Sequence, residues 1–495
     1  MLQTLKNAWN TKEIRSKILF TLLILLIYRV GTVIPVPFVE ANSFAQSLDG
    51  TILQYMDTLS GGALGSMTLF ALGVQPYINA SIIIQLLAVV FPKLGEIAKN
   101  DKKKMNFITR IVTMILAVVT AVGYYFLLRN GNASLGIDSF LTNAAFEGKM
   151  QWLYAVVIIM CYVAGAALIM WLAERINEKG IGNGISLILF ANIVAAVPSF
   201  VYKLASFAID TYSYPDKAWL YALLSTAFAV LLIVALLLLI AVVIWFTGSE
   251  RRIPVQYAKK VVGRKMYGGQ NTSLPIKLNM TGVMPIIFAS SIVSFLPTLF
   301  QILDSAGALK EGGFWAGFAN VVGPNGAVYP IILFLLVIGF AYFYAQISFN
   351  PIEVANNLKK QGGAIPGIRQ GRPTSDYIRK ILNKITFAGA LFLAVIAVLP
   401  IVIGPHALKY FYEWVADGAG IYEMYYEYYS YLGESFAHSY ASQMAESYST
   451  QMAANLTNIF SFSGTTLLIV VGVAIETFRE LEAQLTMRNY KGFLN

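Results

Sequence analysis

The sequence predicts an all-α polytopic membrane protein. It has ten transmembrane helices, arranged as two inverted five-helix halves around a central cavity, and one short re-entrant segment. Three observations carry this prediction. The composition is 57% hydrophobic and only 13% charged over 495 residues, with a mean hydropathy of +0.63, which excludes an ordinary soluble domain. Apolar windows of spanning length recur along the chain. One apolar stretch, Leu59 to Leu72, contains Gly61, Gly62 and Gly65 and ends at the breakers Gly73 and Pro76 before a second run from Ile78 to Val90. It falls short of the roughly 20 residues a spanning helix requires. Half-helical backbone survives at membrane depth only where protein or a water-filled cavity surrounds it, so the rest of the chain is expected to wall that cavity.

In chain order, the spans fall at about 18–37, 74–91, 107–128, 153–173, 184–207, 219–247, 281–302, 328–349, 384–404 and 464–478. The first apolar run, Ile18 to Ile34, is not followed by a small-residue cleavage site, so no cleavable signal peptide is expected. An even number of spans puts both termini on one side. The N-terminus, the even-numbered loops and the tail together hold 29 of the 36 Lys and Arg residues. By the positive-inside rule that side is the cytoplasm. Topology and lipid contact account for most of this basic excess, so the charge alone does not imply nucleic acid.

Ten spans divide into an N-terminal half, 1–207, and a C-terminal half, 219–495, joined by a hinge at 208–218. Because five is odd, the second half enters the membrane inverted, a common transporter and channel plan. No sequence similarity between the halves is visible, so the inversion is an architectural inference. Two inner loops are long. Residues 248–280 mix β-formers, basic residues and Gly-Gly turns, as a protruding hairpin does. Residues 350–384 carry Gly362, Gly363, Pro366, Gly367, Gly371 and Pro373, a density expected to fix turns rather than a helix, with Ile365 and Ile368 as apolar anchors. Both suit docking of a large partner. Residues 405–458 form a Tyr-rich external excursion, readable either as an amphipathic cap or as an interfacial aromatic belt.

The residues for common enzyme chemistry are missing. The two histidines, His406 and His438, lie in the external excursion, and no HExxH, GxSxG or GxxxxGK motif occurs. The GIGNG at Gly180–Gly184 sits between two spans and reads as a turn opening the fifth. The one cysteine, Cys161, rules out an intrachain disulfide and reads as a packing residue. No enzyme, metal or cofactor is expected. Ionisable groups inside spans are almost absent: Glu476 lies at the inner end of the last span and Arg29 at the outer end of the first, where snorkelling suffices. An ion-coupled transporter needs an intramembrane ionisable site. The pattern favours a passive pore; a secondary transporter of a small solute is the alternative.

Long strings along the chain resemble one family: RVGTVIPVP at 29–37, ALGVQPYINASIIIQLL at 71–87, ERINEKGIGNGISLILF at 174–190, RRIPVQYAKK at 251–260, LPIKLNMTGVMPIIFASSI at 274–292, FNPIEVANNLKKQGGAIPGIRQG at 349–371 and SGTTLLIVVGVAIET at 463–477. They resemble the SecY family, channel subunits of the bacterial protein translocon. The departures are Gln370, where the family pattern has Pro, the Arg372–Pro373 pair, and the 405–458 excursion. The resemblance implies a passive channel in the bacterial cytoplasmic membrane that translocates unfolded polypeptides and releases transmembrane segments sideways into lipid. It implies a re-entrant plug helix at about 58–72, including Ser60, Gly61, Gly62, Ala63, Leu64 and Phe70. The implied pore ring is Val74, Ile78, Ile185, Leu189, Ile287 and Ile469. Val74/Ile78 and Ile185/Leu189 are i, i+4 pairs and share a helix face, as such pairs do in any membrane bundle.

The implied lateral gate lies between spans 2 and 3 on one side and spans 7 and 8 on the other, with Asn79, Gln85, Ser290, Ser291 and Ser294 along it. Ordinary interhelical hydrogen bonding explains those five polar residues equally well. Gly282, Pro285 and Pro297 are expected to weaken the seventh helix. The implied partners are the SecE and SecG subunits, the SecA ATPase, the ribosome through its RNA, signal sequences, nascent chains and lipid. Docking falls to Arg251, Arg252, Lys259, Lys260, Lys359, Lys360 and Arg369, the last being the family's key loop arginine; without the resemblance these read as topology charges.

Overall fold

A computed structural model describes residues 2–40, 44, 52–130, 139–142, 150–210, 218–257, 260–262, 265–267, 271–305, 318, 321, 328–418, 421–444 and 464–491 of the chain. Each of the ten predicted windows coincides with a helix: Lys12–Gly31, Gln75–Val90, Lys102–Asn130, Gln151–Lys179, Gly184–Asp210, Ala218–Gly248, Met284–Ser305, Tyr329–Ser348, Arg372–Gly418 and Gly464–Lys491. They are called helices 1 to 10 below. Among the described residues six helices are long and apolar enough to cross a membrane, or seven if helix 2 and the short helix Pro92–Asn100 form one bent span. The other three are limited in length or by charge. Helix 1 carries Lys12, Glu13, Arg15, Lys17 and Arg29, helix 7 is counted over the apolar described stretch Met284–Phe300, and helix 10 turns polar after Ile475. Most of the hinge, 211–217, lies outside the described residues, as do Lys259 and the end of the external excursion.

The helix boundaries follow local chemistry. Helix 2 stops because Phe91 precedes Pro92 and is pushed into extended backbone, φ −101° and ψ 110°; the chain turns by 118° there. Helix 5 opens on the predicted GIGNG turn. Gly182 has φ +85°, Asn183 Oδ1 accepts from Ile185 N at 3.1 Å, and a Cβ on Gly184 would sit 2.0 Å from the Ala173 carbonyl. Helix 7 differs from expectation. Gly282, φ +64°, and Pro285 start it rather than weaken it, and only Pro297 lies inside.

The two long loops, 248–280 and 350–384, build one structure. In the first, β1 (Glu250–Tyr257) pairs antiparallel with β4 (Asn271–Lys277), in register from Glu250 opposite Lys277 to Gln256 opposite Asn271, and β2 (Lys260–Val262) pairs with β3 (Lys265–Tyr267). The predicted hairpin is present. The second loop turns over 361–371, where its glycines and Pro366 predict it, and helices flank that stretch, opened by Pro351 and Pro373. Asn350 caps the helix Pro351–Lys360, accepting from Ile352 N at 3.1 Å, and Pro373 sits in the first turn of helix 9. Between them β5 (Gly363–Ala364) joins β1, giving the order β4-β1-β5. Ile253, Val255, Ile276, Leu358, Ile365 and Ile378 close a separate small core against which Ile368 packs. Helix 9 runs to Gly418 and is followed by the helix Ile421–Tyr429 and a further helix over 434–444.

The main core is one continuous apolar cluster. Helices 2, 3 and 4 pack in sequence, as do 7, 8 and 9. The two sets meet where helix 7 lies against helices 2 and 3, and helix 10 lies against helix 5.

Candidate functional site

The site is the re-entrant segment and the walls around it. The helical part of the predicted plug is the short helix Ile52–Ser60. Residues 61–74 are a chain of turns rather than a helix, a correction to the expected helical segment over 58–72. The cause is backbone: Gly61, Gly62 and Gly73 have φ of +73°, +84° and +56°, and Met67 is also left-handed at +47°. The turns are internally tied. Asp57 Oδ1 accepts from Gly65 N at 2.7 Å, Ser60 Oγ accepts from Leu64 N at 3.1 Å, and Ala63 O accepts from both Thr68 N and Thr68 Oγ1.

The plug residues Ser60, Ala63, Leu64 and Phe70 are buried, and Gly61 and Gly62 are half-buried. Phe70 stacks on Tyr28 of helix 1, with centroids 5.3 Å apart and planes 11° from parallel. Two glycines make room: a Cβ on Gly31 would sit 2.0 Å from the Phe70 ring, and one on Gly165 would sit 1.8 Å from the Leu69 carbonyl. Burying Leu64, Met67 and Phe70 contributes ~1.5–3 kcal/mol each. Each hydrogen bond contributes ~1 kcal/mol. Burial therefore keeps the segment in, and hydrogen bonds decide how it sits.

The six ring positions come from four helices of both halves. Val74, Ile78, Leu189, Ile287 and Ile469 are each no more than 3% exposed, and Ile185 is half-buried. All six belong to the same apolar cluster as Ala63, Leu64, Met67 and Phe70 of the plug. Val74 O accepts the first helical hydrogen bond of helix 2, from Ile78 N at 3.0 Å, which puts the pair on one face. Among the described residues no cluster of His, Cys, Asp and Glu could hold a metal.

Along the seam the five predicted polar residues behave differently. Gln85 on helix 2 reaches across: its Oε1 accepts from the hydroxyl of Tyr344 on helix 8, while its Nε2 donates to Ser81 Oγ at 2.9 Å. Ser290 donates to the Ile287 carbonyl of its own helix at 3.0 Å. Ser291 is buried on helix 7, Ser294 Oγ is buried without a hydrogen-bond partner, and Asn79 is half-buried on helix 2. So one of the five bridges the two halves, and Ser290 fits the ordinary intrahelical reading.

Three residues escaped the sequence reading, Tyr344, Tyr28 and Asn192, and a fourth, Arg29, was read as snorkelling. Arg29 does not snorkel: its Nη1 donates to the Gly61 carbonyl of the plug at 3.0 Å. Asn192, fully buried on helix 5, donates through Nδ2 to the Leu59 carbonyl at 2.7 Å and to the Tyr28 hydroxyl at 2.9 Å. A lone Asn inside an apolar span was the available signal.

On the basic loops, Arg251, Arg252, Lys359, Lys360 and Arg369 are exposed. Arg252 is paired with Glu250 at 2.8 Å. Lys259 and the Lys260 side chain lie outside the described residues. Gln370, a departure from the family pattern, donates to the Gly363 carbonyl at 3.2 Å and ties the loop to β5. Burial and the nearby Arg479 push the Lys277 ammonium below its ordinary range, with Glu250 opposing.

A helical membrane body that buries a turn-rich segment of its own chain in one apolar cluster has the architecture of a membrane channel with a plug. The SecY family model matches residues 68–420. The chain is 37% identical over 508 residues to the protein translocase subunit SecY of Mycobacterium bovis, covering all of both chains. In fold it is similar to a solved protein-conducting channel (TM-score 0.56, 16% identity, 95% of this chain and 92% of that one) and to Sec61 in the canine ribosome–channel complex from the endoplasmic reticulum (TM-score 0.55, 16% identity, the same coverage). The chain belongs to the SecY family and is a multi-pass protein-translocation channel.

Proposed function

We propose that Val74, Ile78, Ile185, Leu189, Ile287 and Ile469 form the constriction of the conducting path, and that the plug closes it on the outer side. The observation that carries this is the single apolar cluster joining all six positions to the plug. A narrow apolar collar excludes ions by dewetting, yet its side chains part around a polypeptide. A polar collar would bind ions and leak.

In this reading the halves 1–207 and 219–495 open about the 208–218 segment, and the seam between helices 2 and 3 and helices 7 and 8 is the sideways exit. A segment exposed there partitions by chemistry: Leu, Ile, Phe or Val gains ~0.3–0.6 kcal/mol per residue at the helix centre, and Lys or Asp costs ~2.5–3.5. That difference lets a passive slit sort signal sequences and membrane helices from secreted chain. The β4-β1-β5 platform, with Arg251, Arg252, Lys359, Lys360 and Arg369 exposed on and beside it, is the docking face for the ribosome and the SecA ATPase. A ribosome is the partner of a structural neighbour. SecE and SecG are its membrane partners. The distribution of Lys and Arg supports cytoplasmic termini in a bacterial inner membrane.

The test is photo-crosslinking of a stalled nascent chain from probes at Ile78 and Ile287, with a probe at the exposed Leu231 of helix 6 as the lipid-facing control. Crosslinks at Ile78 and Ile287 and none at Leu231 are expected. The reverse pattern removes the constriction from these residues.

A further inference from the structure

We infer that Arg29 and Asn192 form a two-point clasp on the C-terminal carbonyls of the plug helix, and that releasing the clasp is a step of channel opening distinct from parting of the ring. The inference rests on the channel reading above.

A helix leaves its last four carbonyls without intrahelical donors. At the end of Ile52–Ser60 two of them are met from within the plug: Thr58 O by Gly61 N at 3.2 Å, and Asp57 O by Gly62 N and Ser60 Oγ, both at 2.9 Å. Local donors do not reach further. Leu59 O is met by Asn192 Nδ2 at 2.7 Å, and Gly61 O, one residue past the helix, by Arg29 Nη1 at 3.0 Å. These donors come from helix 5 and helix 1, far away in sequence and from opposite ends of the N-terminal half. The guanidinium also sits where the helix dipole is negative.

Further geometry points the same way. The second Nδ2 hydrogen of Asn192 goes to Tyr28, whose ring stacks on Phe70 at the far end of the plug, so both ends of the segment register against one pair of wall residues. The plug has also left room for the clasp. A Cβ on Gly61 would meet Arg29 Nη1 at 2.8 Å and Asn192 Oδ1 at 2.9 Å, and the φ of +73° there disfavours a side chain in any case. From the C-terminal half, Thr298 Oγ1 approaches Met56 Sδ of the plug helix at 3.4 Å, a softer contact. Carbonyls are independent of plug side chains, so the clasp reads position and not sequence. Its loss should free the plug while leaving the ring chemically intact.

The experiment uses the full chain with its partner subunits in membrane vesicles. Cys161→Ser removes the native thiol, and Leu64→Cys places a probe at a plug position that is 1% exposed. The readout is the rate of modification by a membrane-impermeant maleimide from the outer face. Asn192→Asp, isosteric but without the donors, and Arg29→Met should each raise the rate about tenfold. Asn192→Gln and Arg29→Lys, which keep a donor, should recover part of the protection. Thr298→Val should leave the rate near that of the parent. A rate unchanged in both Asn192→Asp and Arg29→Met, or raised as much by Thr298→Val, overturns the clasp. Translocation of a secretory substrate is measured on the same vesicles. A parent that translocates nothing refutes the channel reading instead, and a variant that translocates with an unprotected plug has folded.

Discussion

Replacing Tyr344 with phenylalanine removes a single hydroxyl from the seam and little else. The ring is held by Phe288, 5.1 Å away, and Phe343, 5.5 Å away, so a phenyl group keeps its place. Gln85 keeps its bond to Ser81 at 2.9 Å but loses the donor from the opposite half. A side-chain hydrogen bond between membrane helices is worth about 0.6–1.7 kcal/mol, and losing it shifts the ratio of closed to open seam by roughly three- to eighteenfold toward open. Each leucine in a candidate segment gains ~0.3–0.6 kcal/mol on entering lipid. The variant should therefore release segments that are about two leucines less apolar than the parent requires. The assay is a graded series of test segments, from few leucines to many, scored as inserted or translocated in membrane vesicles. Tyr342→Phe is the control, because Tyr342 is exposed at its hydroxyl and donates to the Asn383 carbonyl within the same half at 3.4 Å. An unmoved midpoint in Tyr344→Phe, or an equal shift in Tyr342→Phe, refutes the idea that this bond holds the seam.

Replacing Ile78, Ile185 and Ile287 together with serine should let the resting channel pass small ions in planar bilayers; a conductance equal to the parent's would count against the ring. Arg369→Glu should block SecA-driven secretion more than membrane insertion, read as the ratio of the two in vesicles, and equal losses would remove its docking role. Gly165→Ala pushes a Cβ into the Leu69 carbonyl at 1.8 Å, and because backbone cannot swing aside as a side chain can, it should destabilise the folded channel by about 1–3 kcal/mol. Gly339→Ala meets nothing within 4 Å and should be neutral or slightly stabilising, so thermal unfolding in detergent separates the two.

The spans were readable in the sequence because burial in lipid acts on every residue of a window and leaves a long, redundant signal. Helix 2 and the turn before helix 5 were readable too, since Gly73, Pro76 and the GIGNG glycines act on the local backbone. In the second loop the glycines from Gly362 to Gly371 turn the chain as read, but Pro373 opens helix 9: a proline punctuates equally well as a helix starter and as a turn former, and only the partners of the next few amides decide. The joining of β5 to β1 depends on two residues meeting across more than a hundred positions, and no periodicity records that. At the site, the ring positions carry the same apolar letters as their neighbours, so only the family resemblance singled them out. Arg29 was visible as a charge near a membrane face, but snorkelling to water and donating to a plug carbonyl use the same residue type at the same depth. Asn192 was the clearer clue, because a buried amide inside a span requires partners. Nothing in the sequence said that a main-chain carbonyl 133 positions away was one of them.

The distribution of polar groups matches what each part of the channel has to do. A ring that admits any polypeptide cannot depend on alignment, and apolar contact has none: its energy follows buried area, so the collar can close again around whatever geometry the departing chain leaves. The plug has the opposite requirement. In the proposed reading it has to return to one seat, and a smooth apolar segment would settle in several. Hydrogen bonds are directional, and those to main-chain carbonyls at Leu59 and Gly61 are satisfied in one placement only. The seam lies between these extremes. Its apolar faces part for greasy segments, while the Gln85–Tyr344 bond sets a minimum that a weakly apolar segment does not overcome. Moving a hydrogen bond into the ring, or removing one from the plug, should therefore damage different properties: the first the resistance to ions with a seated plug, the second the seating itself with an intact ring.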